Sequence, residues 1–126
     1  MDLPKQMKIL GDHARFAPEG EASVAELVAL VSQAIRYCRE QKISRLLADV
    51  RGLTGYGQPQ VHERYWAVRE WAREANGALV LCVLAQEGLL DPQRFGVLVA
   101  RNAGLRAFIS SNENEALEWL LGQEVY

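Results

Sequence analysis

The side chains best placed to do chemistry sit in one stretch, LLADVRGLTGYGQPQ, at positions 46–60. An apolar run ends in Asp49, and a glycine-dense segment carrying Arg51, Thr54 and Tyr56 follows. Backbone N–H groups beside Gly52, Gly55 and Gly57 can approach an anion closely, and Arg51 is the cation of the loop. Thr54 offers a hydroxyl. Neither GxxxxGK[ST] nor GxGxxG is present. Anion binding and a plain strand-to-helix turn both remain open for this loop.

Other chemistries have less to stand on. Cys38 and Cys82 lie in apolar surroundings without a CxxC pairing, so buried free thiols are expected. His13 falls in the first hairpin, where an exposed position is expected, and His62 falls on a helix. No serine sits in a GxSxG turn, and no His/Cys/Asp group has metal-ligand spacing. Glu113 and Glu115 suit the first turn of a helix, where they complement its dipole. The expectation is a protein without enzymatic activity, cofactor or metal.

The chain has 126 residues, the size of one domain with one sizeable core. Hydrophobic residues make up 49% and charged ones 24%, a balance that folds rather than one that stays disordered. A net charge of −2, with both signs interspersed, disfavours nucleic acid or an anionic membrane as the main partner. The opening MDLPKQMKIL carries no long apolar segment, and no apolar run reaches the ~18 residues of a membrane span. A cytoplasmic location is expected.

The elements that must hold these side chains follow from periodicity and punctuation. Met7–Leu10 and His13–Ala17 read as a hairpin around Gly11-Asp12, closed by Pro18-Glu19-Gly20. Ser23 and Glu26 have capping-box spacing, and Val24, Leu27, Val28, Val31, Ala34, Ile35 and Cys38 form a buried stripe on a helix ending near Gln41. Arg45–Val50 is a buried strand. Pro59 can open the next helix, whose inner stripe is Val61, Tyr65, Val68, Ala72 and Ala75, and Asn76-Gly77 stops it. Ala78–Ala85 is an apolar run suited to the centre of a sheet covered on both faces. Asp91-Pro92 opens a third helix with Phe95, Leu98 and Val99 inward, ended by Gly104. Leu105–Ile109 is a last strand. Asn112 and Glu115 start a final helix that buries Ala116, Leu117, Leu120 and Leu121 and closes at Gly122. The order β-β-α-β-α-β-α-β-α predicts an α/β fold with a mixed, mostly parallel sheet, an N-terminal β-hairpin and four helices.

Ligands of parallel sheets favour the carboxyl ends of the strands. There the glycine loop, Gln86–Asp91 and Ser110–Asn112 should converge, so Arg51, Thr54, Tyr56, Glu87 and Ser110 are the candidate border of a ligand or anion site. A second candidate surface lies on the second helix. Trp66 projects about 140° from the centre of the apolar stripe, on the side of His62, Arg69 and Arg73. An exposed Trp beside arginines has the composition of an interface anchor. A Trp lying flat over an arginine stem is the alternative.

With these elements in place, the chain resembles the STAS domains of sulfate transporters and anti-sigma-factor antagonists, and especially small stand-alone bacterial STAS-like proteins. The resemblance spans nearly the whole chain and is carried by LLADVRGLTG, positions 46–55, and RAFISSNENEALEWL, positions 106–120. It implies a non-enzymatic domain acting in signalling or protein interaction through the glycine loop and the second helix, with a protein partner or a second copy. In the antagonists, a strand ending in Asp precedes an Asp-Ser-Ser-Gly segment whose serine is phosphorylated at the start of the next helix. Asp49 matches the strand-end acid. The corresponding Gly57-Gln58-Pro59-Gln60 holds no hydroxyl, so the phosphoserine switch is expected to be absent, and nothing carries that role to Thr54. STAS-like sheets are also similar in layout to domains that carry lipids or other small apolar molecules, which implies an alternative small-molecule or lipid-binding role with Tyr56, Phe95 and Phe108 lining a pocket.

Overall fold

The computed structural model describes residues 3–87 and 100–125. The first two strands, β1 (Met7–Ile9) and β2 (Ala14–Phe16), pair antiparallel, with Lys8 opposite Arg15. A two-residue strand, β3 (Gly20–Glu21), leads to helix α1 (Val24–Glu40). Ser23 caps that helix. Its Oγ accepts from the Glu26 N–H at 3.1 Å, and the Glu26 carboxylate accepts from the Ser23 N–H at 3.0 Å.

Strand β4 (Arg45–Asp49) pairs parallel with β2 on one side and with β6 (Val80–Leu84) on the other, and β7 (Ala107–Ser110) pairs parallel with β6. The five-stranded sheet therefore runs β1-β2-β4-β6-β7. Helix α2 (Val61–Ala75) links β4 to β6, residues 100–102 belong to a third helix, α3, and α4 (Glu113–Leu121) follows β7. The fold is α/β with four helices, as the periodicity predicts. Asp91, Pro92, Phe95, Leu98 and Val99 lie outside the described residues. Gly104 (φ +85°) ends α3 in the left-handed region, where glycine carries no Cβ penalty.

Strand alternation divides the core between two faces. Leu46, Ala48, Leu81 and Val83 join the main cluster beneath α1 and α2, whereas Leu47, Val80, Cys82 and Leu84 pack against Ala116 and Leu120 of α4. Phe108 stacks on Trp119 with ring centroids 5.2 Å apart. Phe108 packs in the α4 layer and also borders a cavity in the core, whereas Tyr56 packs on the main cluster and is not in that cavity's lining.

Several expectations need correction. His13 is buried rather than exposed, and its Nδ1 lies 2.7 Å from Asp12 Oδ1. Leu121 is exposed. Gln60, not Pro59, is the residue at the threshold of α2; its N–H donates to the Glu63 carboxylate at 2.9 Å. The buried face of α2 comprises Ala67, Trp71, Ala72 and Ala75, while Val61 and Tyr65 are 67% and 43% exposed. The helix is thus turned by about 50° from the predicted stripe. The reason is tertiary: Trp71 is buried and its Nε1–H donates to the Val28 carbonyl of α1 at 3.2 Å. Alanines on the same face let the two helices approach.

The glycine loop contains a strand that sequence does not reveal. Residues Leu53–Thr54 form β5, which pairs parallel with β3 in a separate two-stranded ribbon. A Cβ at Gly52 would stand 3.0 Å from the Pro18 carbonyl oxygen, a tight contact that favours glycine there.

Candidate functional site

The carboxyl ends of β2, β4 and β7 meet the first turn of α4 in a ring of four charged residues. Asp49, on the last position of β4, is nearly buried. Its Oδ2 accepts from Arg15 Nη2 at 2.7 Å and from Arg51 Nη2 at 2.9 Å. Its Oδ1 accepts from Arg51 Nε at 2.9 Å and from the Arg51 backbone N–H at 3.1 Å. Glu113 closes the ring: Oε1 accepts from Arg15 Nη2 at 3.0 Å and from Arg51 Nη2 at 3.1 Å.

Two bases thus balance two acids. Burial works to raise the Asp49 pKa, but hydrogen bonds from Arg51 and the charges of Arg51 and Arg15 hold it below the usual carboxylate value. The Asp49 hydrogen bond correspondingly raises the Arg51 pKa. Chemically the ring is a clamp: Asp49 stays ionised, with both oxygens committed, and pins the β4 turn and β2 to the α4 N-terminus. Arg51 belongs to this clamp.

The described segments at this end meet, while residues 88–91 lie outside the described residues. The Val50 N–H donates to Leu84 O at 2.8 Å, the Ala85 N–H to Ser110 O at 2.9 Å, and Gln86 Nε2 to Arg51 O at 2.9 Å. Their side chains take separate directions. Thr54 is exposed on the ribbon, its hydroxyl 3.4 Å from Gly20 O. Tyr56 is half-buried on the opposite face of the sheet, and burial raises its pKa. Glu87 is exposed. Ser110 is buried, its Oγ accepting from the Asn112 N–H at 3.0 Å and donating to Asn112 O at 3.2 Å. It shapes the turn into α4, where Asn112 Oδ1 accepts from the Glu115 N–H at 2.9 Å.

On α2, the residues His62, Trp66, Arg69 and Arg73 are all exposed. Val61 and Tyr65 join them because of the rotation described above. The Arg69 guanidinium lies 5.6 Å from the Tyr65 ring centroid and donates to its hydroxyl at 3.4 Å. Arg73 pairs with Glu70. Val61, Tyr65 and Trp66, three large apolar side chains, therefore stand on one exposed, basic-edged helix face.

Sequence reasoning missed Arg15 and the second role of Glu113. A usable signal existed for Arg15. In Ala14-Arg15-Phe16 the flanking residues face the main core, so alternation sends Arg15 to the other covered face, where a buried cation needs an acid. Both thiols are buried, which pushes the pKa of Cys38 and Cys82 up to about 12. Among the described residues no His/Cys/Asp/Glu group could hold a metal ion, and no helix is long and apolar enough to cross a membrane. The chain matches no protein-family model and no curated protein.

Proposed function

We propose that this chain is a non-enzymatic, STAS-like protein-interaction domain of bacterial signalling type, without a phosphoserine switch, that docks a protein partner or a second copy through the outer face of α2. The observation that carries this reading is the exposure of Val61, Tyr65 and Trp66 together, at 67%, 43% and 43%, beside Arg69 and Arg73. Aromatic residues and arginine are the types enriched where partners bind. A non-enzymatic reading is supported by the state of the candidate groups: the thiols are buried and protonated at neutral pH, and Asp49 is fully engaged by two arginines. The residues in the place of the phosphorylated segment, Gly57 to Gln60, carry no hydroxyl and lead directly into α2.

Sedimentation velocity of the wild type and Trp66→Ala over a wide concentration range tests the self-association version. Association in the wild type that Trp66→Ala removes, with the unfolding midpoint unchanged, is the expected result. Monomers in both, at the highest concentration, count against a second copy as the partner.

One observation favours a second reading, a small-molecule or lipid-binding module. A cavity of about 120 Å³ lies between the sheet and helices α1 and α2, with Val28, Ala67, Trp71, Leu81, Val83 and Ala85 in its lining. It has the size and dryness to take a small apolar molecule. Native mass spectrometry of freshly purified protein separates the readings: co-purified mass supports the ligand role, and a ligand-free oligomer supports the docking role.

A further inference from the structure

The opposite end of the sheet carries a second cavity, of about 290 Å³, near the lower end of the ~300–1,000 Å³ range of small-molecule sites. It opens where the chain enters β4, β6 and β7, away from the Asp49 ring. Arg39, Lys42 and Arg106 line it together with Ser44, Ala78 and Leu79, and the lining includes no acidic residue among those described.

The cations at this cavity exceed what the fold uses. Arg39 is committed in part: its Nη1 donates to the Glu74 backbone carbonyl and lies 3.4 Å from Glu74 Oε1. Lys42 and Arg106 are exposed and have no acidic partner among the described residues. The C-termini of α1 and α2 face this end, and a cation near a helix C-terminus ordinarily compensates its carbonyls. Here most of those carbonyls are already served. Tyr37 O, Cys38 O and Arg39 O accept from the N–H groups of Gln41, Ile43 and Lys42, and Ala72 O and Ala75 O accept from those of Asn76 and Ala78. Arg106 lies just before β7 and caps no helix.

The position of Lys42 adds a second, independent sign. It follows the α1 C-cap with φ +60°, in the left-handed region where glycine is the usual residue. A lysine there works against local preference while adding charge to the cavity wall. Conflicts of that kind gather at functional positions.

We infer that this cavity binds a small phosphate-bearing anion. Two cations without acidic partners among the described residues match a dianion, a serine hydroxyl and a shared arginine supply further donors, and Leu79 offers an apolar wall for an organic substituent. The site is independent of the α2 outer face.

The test is a titration of the ¹⁵N-labelled full chain, at fixed ionic strength, with inorganic phosphate and separately with phenyl phosphate. The amides of Lys42, Ser44, Gly77, Ala78 and Arg106 report binding. Lys42→Gly removes the charge and keeps the left-handed turn, and Arg106→Gln neutralises an exposed side chain, so both variants are expected to fold. Saturable shifts in these five amides, weakened about tenfold by each variant without a fall in the urea midpoint, are the expected result. Equal affinity for the two probes assigns the site to free phosphate, and tighter phenyl phosphate binding assigns it to an organic ester. Absence of saturable shifts with both probes, or shifts that the double variant retains, overturns the inference.

Discussion

Replacing Asp49 by Asn tests the charged ring most directly. The substitution keeps the shape of the side chain and removes one charge between two arginines. Asp49 has a side-chain exposure of 10%, against 25% for Arg15 and 38% for Arg51. Breaking a fully buried pair by removing one partner costs about 3–5 kcal/mol, because the charge left behind is unsolvated. Here the stranded arginines keep some water and still hold Glu113. We therefore expect about 2–3 kcal/mol, below the fully buried range. Glu113→Gln serves as the internal control: at 44% exposure its contacts are screened, and about 0.5–1 kcal/mol is expected.

Urea denaturation followed by tryptophan fluorescence measures both differences. The pH dependence supplies a check that packing loss cannot imitate. The folded-state pKa of Asp49 lies below its ordinary value of 3.8, so its contribution is fully present above that value and is lost as pH falls through the depressed folded pKa. The gap between the wild type and Asp49→Asn should therefore be constant near neutrality and close as pH drops below about 4. A gap under about 0.5 kcal/mol at pH 7 would mean the ring is solvent-screened and does not clamp α4. A gap that stays wide at acid pH would show that amide geometry, not charge, is responsible.

Gly52→Ala should cost about 1–2 kcal/mol, because its Cβ would press on the Pro18 carbonyl at the β3–β5 ribbon, whereas Gly11→Ala, with open space around it, should be near neutral; paired urea midpoints decide this. Cys38 and Cys82 should resist a thiol-specific disulfide reagent at pH 8 in the folded protein and react at once in urea, since burial holds both pKa values up to about 12. Reaction of the folded chain at the rate of a free thiol would refute their placement in the core.

How far the fold could be read from sequence depended on how local its causes were. Helix α1 was legible in full, because the Ser23 cap and the three-and-four spacing of its buried residues lie within one segment. The apolar run before Gln86 was legible as a central strand because both of its faces are covered. Helix α2 was legible in extent but not in rotation. Val61 and Tyr65 are apolar by type, yet the buried face is decided by Trp71 donating to Val28, a contact 43 residues apart. The β3–β5 ribbon left no periodicity, since two residues per strand cannot alternate detectably. The charged ring joins residues 34 and 98 positions apart, so no window along the chain contains it.

These distances also bear on where function can reside. The glycine loop invites a ligand reading when seen alone, because glycine, a cation and a hydroxyl occur together. In the fold the first glycine and the cation are used internally, and the hydroxyl stays exposed. Gly52 clears the Pro18 carbonyl, Arg51 holds Asp49 and Glu113, and Thr54 sits on the ribbon. A ligand that took Arg51 away from Asp49 would displace a charge-assisted bond and strand a nearly buried carboxylate, which opposes binding of that kind. Trp66 lies nearly opposite the buried face of α2, and Lys42 and Arg106 have no acidic partner among the described residues. Occupying either surface requires no break in the internal structure. The two proposed binding surfaces are therefore the outer face of α2 and the amino-terminal end of the sheet, and the glycine loop serves the fold between them.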